Sequence, residues 1–517
     1  MSTTKKPSSK KVAKPVSKKA KQPKPKLTTT QLKKESSQTI KIEYLNKASK
    51  FSEARKKDTI HPRKILPKVK SGAQIKDKLP TAAMAFEEQV SIAQMADVRG
   101  AKPKAFTDTI TFLKNVQLDD VATADTASHV CEPSAAVNGK VIFYTGNWFA
   151  AISIDGGSTF KYINPYNSFP DPPGMGFCCD QVVHYIKSID TFIWLLQYTA
   201  DTTGKNIQRV AYATTAKVKT GTWKYYDFTP ANLGLAAGIW LDFPDLSTSS
   251  NYLYMSTNSF DGGGNFKSSV LVRIKFSSFT TGVRSARKYV STSFSSFRVA
   301  QNCGTTAYFV AHKSTSALRV FSWKESTTTP TFKDVSVASW NPNGYTSTTP
   351  DGKDWLKRAD GRHIGATLAS GELWFSWGSA KGGANNRPQA FVQIARIKIS
   401  TMTLAQNINL WDTKAAIFYA GLSTNSNNEV GASFAMGGGT IFPRHMVGIL
   451  TNTGRQVVTF SGNRGPADNK WGDYLTVRRN YPNQKLFCAT GYVLKSGAGL
   501  SDATPNVTIF GRSSDVV

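Results

Sequence analysis

The sequence predicts an all-β chain: a single β-propeller of seven blades, with six as the alternative, preceded by a disordered basic arm. Three observations carry this reading. They are a composition change near residue 105, a divergent seven-fold repeat beyond it, and a charge imbalance before it.

The charge imbalance comes first along the chain. Residues 1–80 hold 24 Lys+Arg against 5 Asp+Glu, a net of +19, so only +12 of the total +31 remains for the other 437 residues. The opening MSTTKKPSSKKVAKPVSKKAKQPKPK is Lys, Ser and Pro with almost nothing apolar to close a core, so residues 1–80 are expected to be disordered. A basic arm of this kind is expected to tether the protein to a polyanion, nucleic acid or an acidic surface. No aromatic residue precedes Tyr44, so that attraction is expected to be nonspecific and salt-dependent. No apolar run has the length of a secretory signal or a membrane span, so the chain is expected not to cross a membrane and to be intracellular or particle-associated. Residues 81–104 are a linker or short helix, since Ala83, Phe86, Val90 and Ala93 fall on one helical face.

Residues 105–517 form the propeller. From residue 105 the chain turns to Thr, Ser, Gly, Val and aromatics in short alternating runs between turn residues, which is a strand signature. Seven segments then repeat a charged or polar opening, a strand, a turn and an aromatic strand. They begin at Glu132, Cys178, Trp240, Phe297, Gly361, Glu429 and Trp471, at spacings of 46, 62, 57, 64, 68 and 42 residues. That spacing suits one four-stranded sheet per repeat, and radial repetition of such sheets makes a propeller. The strand Asp108 to Leu118 precedes the first repeat and is placed to complete the last sheet.

The turn SIDGGSTF, Ser153 to Phe160, fills every fixed position of S-x-D-x-G-x-T-[FW] with Ser153, Asp155, Gly157, Thr159 and Phe160. It resembles the Asp-box of sialidase-like β-propellers. In that family the box is a structural hairpin remote from the catalytic centre, so the resemblance implies a fold and no chemistry. FYTGNWFAAISIDGGSTF, FCCDQVV, WLDFPD and WGDY also look like a group of such propellers of largely unassigned function.

In a propeller the first strand of each blade lines the central channel, so the segment openings are the candidate ligand-binding residues. They are Glu132, Asp180, Asp242, Arg298, Arg362 with His363, Glu429, and Asp473 with Tyr474. Crowded carboxylates raise one another's pKa unless a cation compensates, which makes them candidate acids and bases. The expected ligand at this mouth is a glycan or a protein. Loop aromatics such as Tyr166 and Trp340 are candidate sugar platforms. No metal site or cofactor is expected; a Ca²⁺, which takes about 6–8 oxygen ligands, is the less favoured alternative because no dense acidic loop occurs.

Catalytic residues are not identifiable. A sialidase-type hydrolase is the alternative function, with Arg362, Arg444 and Arg478 as clamp members and Tyr474 as nucleophile, but the F/Y-R-I-P signature of that family is absent. The favoured reading is a non-catalytic binding or scaffold module. The five cysteines, Cys131, Cys178, Cys179, Cys303 and Cys488, are expected to be free buried thiols.

Overall fold

The computed structural model describes Met1 and residues 29–45, 64–72, 81–85, 109–119, 123, 127, 130–451, 455–495 and 503–516. Their strands fall into seven sheets of four core strands each, beside a two-stranded ribbon of Glu35–Ser36 and Val283–Arg284. The innermost strands are Ser134–Asn138, Phe177–Ile186, Trp240–Thr248, Arg298–Val299, His363–Ala369, Ala416–Thr424 and Val477–Arg479. Each touches the next, and the seventh touches the first, so the blades close a ring. We number the blades 1 to 7 in that order. The chain is a seven-bladed β-propeller.

Closure uses the strand ahead of the first repeat. Ile110–Gln117 pairs antiparallel with Ala503–Arg512 as the outer strand of blade 7, so the two ends of the ring are held in one sheet. Between blades, aromatic side chains pack against one another at tilted angles. Phe143 of blade 1 sits 5.0 Å from Trp194 and 5.1 Å from Trp223 of blade 2, ring centre to ring centre. Tyr289 and Phe297 to Phe321 do the same between blades 3 and 4. This interblade burial is where most of the apolar surface goes.

Blade 6 departs from its expected boundary. Its inner strand is Ala416–Thr424, and the segment opening at Glu429 is the second strand, Val430–Gly438. AIFYAGLST is buried throughout and has no charged opening, so a search for charged starts selects its partner instead.

The arm also departs from its composition in two stretches. Thr29–Gln31 adds to the outer edge of blade 3, Gln38–Lys41 to that of blade 2, and Leu45 bridges Tyr162 on blade 1. Outer strands leave a row of backbone groups unpaired, and a polar segment can satisfy them without contributing a core. Leu32 and Ile42 are buried as it passes, and Glu35 pairs with the buried Arg284 at 2.6 Å. Thr81–Ala85 is a strand, parallel to Thr403–Trp411 of blade 5, rather than the first turn of a helix. The remainder of residues 81–104 and most of the arm lie outside the described residues. Cys178 and Cys179 are joined to each other, unlike the expectation of free thiols; adjacent side chains of a regular strand point to opposite faces, and this pair lies within the register slip between Phe177 and Gln181 on the inner strand of blade 2. Cys131, Cys303 and Cys488 are free and buried.

The Ser153–Phe160 turn is closed by its own carboxylate. Asp155 accepts from Ser158 N and Thr159 N at 3.0 Å, from Ser153 Oγ at 2.7 Å and from Thr159 Oγ1 at 2.5 Å. Gly156 and Gly157, at φ 82° and 88°, supply the left-handed backbone that the turn requires. These bonds hold Asp155 well below the usual carboxylate range, its own Thr159 hydroxyl being the largest influence. The turn is exposed, so water replaces part of what is lost on substitution. Asp155→Ala is expected to cost about 1 kcal/mol in urea unfolding at pH 7. Because the pKa is depressed by folding, that difference is present above about pH 4 and shrinks as the pH falls below it.

Candidate functional site at the channel mouth

The inner strands are irregular at one end. Pairing slips between Phe177 and Gln181, Asp242 and Asp245, His363 and Gly365, and Phe418 and Gly421, which are bulges in blades 2, 3, 5 and 6. Glu132, Phe243 and Tyr419 adopt positive φ there, at 49°, 57° and 62°. Bulges and strained non-glycine backbone re-aim side chains and concentrate at functional sites. Here they turn carboxylates toward the axis.

Five of the expected residues converge, the carboxylates Glu132, Asp180, Asp242 and Asp473 together with Arg362. Glu132 Oε1 accepts the backbone N–H of Asp473 at 2.6 Å, and its Oε2 accepts Asn147 Nδ2 at 2.9 Å. Asp242 Oδ1 accepts Gln197 Nε2 at 2.7 Å. Asp180 senses Glu132, Asp242 and Asp473 together. All four carboxylates are buried. The cations facing them are Arg362, whose Nη2 lies 2.9 Å from Asp473, and Lys64 of the arm, whose ammonium bonds Asp242 and lies 3.9 Å from Asp473.

This arrangement separates the carboxylates electrically. Burial, then the charge of Asp473, pushes Glu132 up to about 7. Asp180 is driven well above its ordinary value by burial, Glu132 and Asp242. Burial also acts to raise Asp473, but Arg362 and Lys64 overcome it and hold that carboxylate at about 2. Burial disfavours the Lys64 ammonium, yet Asp242, Asp473 and Asp180 keep it charged.

The other expected residues lie elsewhere. Phe243 and Tyr474 cross the channel beneath the carboxylates, 6.3 Å apart, with Arg362 4.1 Å above the Phe243 ring and Arg298 5.3 Å from it. Arg298 therefore belongs to a second, deeper layer. It pairs with Asp245 at 2.7 Å, and Arg478 reaches the same carboxylate at 3.9 Å. Tyr474 is buried, bonds Gln181 O at 3.4 Å and is pushed well up by burial, so it packs rather than reacts. His363 stacks on His312 at 4.0 Å and meets Trp377 edge to face at 5.3 Å, held neutral by burial, outside the carboxylate cluster. Glu429 opens a second strand, which runs antiparallel, and so sits at the far end of the channel bonded to Arg512 and Asn425. Arg362, Arg444 and Arg478 do not form a clamp: Arg362 is taken by Asp360 and Asp473, Arg478 faces Asp245, and Arg444 is on the third strand of blade 6. Lys64, Asp245, Asp360, Asn147 and Tyr419 were not singled out in the sequence. Asp360 alone left a local signal, lying two residues from Arg362 and bonding its Nε at 2.7 Å.

Beside the cluster a cavity of about 610 Å³ opens over blades 4 and 5, lined by Phe294, His312, Trp340, Asn343 and Arg362 and walled by Leu66 to Lys70 of the arm. Trp340 reaches it only at its margin, since it packs against His312 and Trp377. Tyr166 packs against Phe177. Among the described residues no group of three or more His, Cys, Asp or Glu side chains is arranged to hold a metal ion, and no helix is long and apolar enough to cross a membrane.

No protein-family model and no curated protein matches the chain. Among solved structures, an α-L-arabinofuranosidase of Fusarium graminearum aligns at 10% identity over 75% of this chain and 94% of that one, with a TM-score of 0.35. A Dyadobacter fermentans protein of unknown function aligns at 10% identity over 74% and 98%, TM-score 0.36. A Trypanosoma rangeli sialidase aligns at 10% identity over 60% and 52%, TM-score 0.33. Likeness this slight carries no argument about function, and the propeller assignment rests on the strand order above.

Proposed function

We propose that the protein is a binding module that takes a glycan in the 610 Å³ cavity at its mouth, with the basic arm tethering it to a polyanion. The observation that carries this reading is the contrast between cavity and carboxylates. The carboxylates are filled by the protein's own Lys64, Arg362 and Asn147, whereas the cavity offers open volume. Its lining pairs the Phe294 ring with the hydroxyl groups of Ser293 and Ser295, the Asn343 amide and the exposed lysines 68 and 70, which suits a sugar bearing negative charge. A glycan array of neutral, uronic-acid and sialylated saccharides tests it. Acidic glycans are expected to bind, and the surface change Lys68→Glu with Lys70→Glu is expected to weaken them several-fold at unchanged Tm. Binding unaffected by that change would place the ligand elsewhere.

One observation favours a second reading. Glu132 at about 7 beside Asp473 at about 2 is the split that gives a glycosidase its acid and its base. In that reading Lys64 must leave the mouth before substrate enters. Turnover of aryl glycosides, sialosides included, by a Lys64→Ala chain and not by its Glu132→Gln derivative would establish it.

A further inference from the structure

The arm crosses the mouth as a strap fastened at two points. At its upstream end Ile65 N donates to Gly264 O at 2.8 Å and Phe266 N donates to Ile65 O at 3.0 Å, on blade 3. Downstream, Thr315 N donates to Lys70 O at 2.9 Å and Gly72 N donates to Thr315 Oγ1 at 3.0 Å, on blade 4. Val69 packs on the core between blades 4 and 5. Between the strap and the axis one side chain makes the connection. Lys64 sends its stem into the channel and leaves its ammonium among Asp242, Asp473 and Asp180, which come from blades 3, 7 and 2.

We infer that the mouth is a binding site for a primary alkylammonium group, the side chain of a lysine on an extended strand, and that Lys64 is its resident ligand. Three features select that chemistry. The Lys64 ammonium bonds Asp242 and lies 3.9 Å from Asp473, carboxylates carried by different blades, while the guanidinium of Arg362 already takes the closer place on Asp473 at 2.9 Å, so what is left at Asp242 suits a compact ammonium with three donors. Their arrangement is not one that holds a metal ion. The depth of the cluster below the strap matches a long stem: the Lys64 side chain is 24% exposed while that of Asp242 is 2% exposed. The strap is held by a few backbone bonds and this one ion contact, so a lysine from another basic chain competes for the same place. The inference rests on the ion contacts of Lys64 and not on the proposed glycan binding, although the strap that carries Lys64 also walls that cavity.

Chemical rescue of the full-length chain tests the inference. Lys64→Ala leaves the carboxylates facing a space the size of an alkylamine, and its Tm is expected to fall by about 4 °C. n-Butylammonium is expected to restore that Tm saturably, while tetramethylammonium at equal ionic strength does not, and neither moves the wild type. An unchanged Tm in Lys64→Ala overturns the inference, and so does a loss that n-butylammonium fails to repair, since Lys64 would then act only through strap packing. A reading on the wild type covers a variant that does not fold. In ¹⁵N-lysine spectra a protected ammonium, distinct from that of the buried Lys288, is expected to vanish in Lys64→Arg; if no protected signal is lost in that variant, the site is overturned as well.

Discussion

Arg362→Met is expected to cost about 3–5 kcal/mol, measured as a lower urea midpoint with an unchanged slope. Methionine keeps an apolar stem over Phe243, so what is lost is the guanidinium. That group bonds Asp360 through Nε at 2.9 and 2.7 Å and Asp473 through Nη2 at 2.9 Å, and it is itself buried. Removing it leaves Asp473 with a Lys64 ammonium 3.9 Å away that is already engaged with Asp242, and with the charge of Arg358, which is a weaker influence than Arg362. A buried carboxylate stripped of its closest cation either stays charged at high cost or takes a proton. The variant is therefore expected to be relatively more stable in acid than at neutral pH, the reverse of what Asp473 contributes in the wild type. Arg362→Lys is expected to recover only part of the loss, because an ammonium cannot bridge Asp360 and Asp473 in the same plane. A cost below about 1 kcal/mol would mean that Lys64 and Arg358 compensate the cluster.

What the sequence carried of this site follows from what side-chain patterning can encode. Glu132, Asp180, Asp242 and Asp473 sit at or near the start of an inner strand, and strand starts are legible because turn residues and alternating apolar residues bracket them. Glu429 misled for the same reason, since it opens a strand with a charge while the true inner strand Ala416–Thr424 opens on apolar residues. Arg298 and Asp245 form their pair only because the bulge after Asp242 advances the strand, and a bulge has no fixed residue signature. Lys64 was hidden by its surroundings. HPRKILPKVK reads as more of a lysine-rich arm, and the arm docks on blade edges through backbone groups that every residue type carries. Composition is silent about borrowed pairing. Of the segment expected to carry Ala83, Phe86, Val90 and Ala93 on one helical face, only 81–85 are among the described residues, and they form a strand by the same route, on an open edge of blade 5.

Glu132→Gln is expected to remove a stability loss on the order of 2–3 kcal/mol between pH 5 and pH 8. Folding raises the pKa of this carboxyl from 4.5 to about 7 through burial and the neighbouring Asp473. Between those values the folded chain holds a proton that the unfolded chain has released, so the folded state is favoured at the acid side of the window and loses that advantage as the pH rises through about 7. Asp473 works in the opposite direction and in another window. Its pKa is depressed to about 2, so its contribution is full above about pH 4 and disappears as the pH falls toward 2. His184, His312, His363 and His445 are held neutral by burial and favour the fold as the pH rises through about 6.5, which partly masks Glu132 in the wild-type curve. The difference between wild type and variant cancels them. Whatever hydrogen bond the amide loses to Asn147 shifts the whole curve equally and leaves its slope intact. Urea unfolding at several pH values from 4 to 8 reads that slope directly. Parallel curves for the two proteins would mean that Glu132 is ionised at neutral pH, and with that the acid half of the Glu132 and Asp473 pair would be gone.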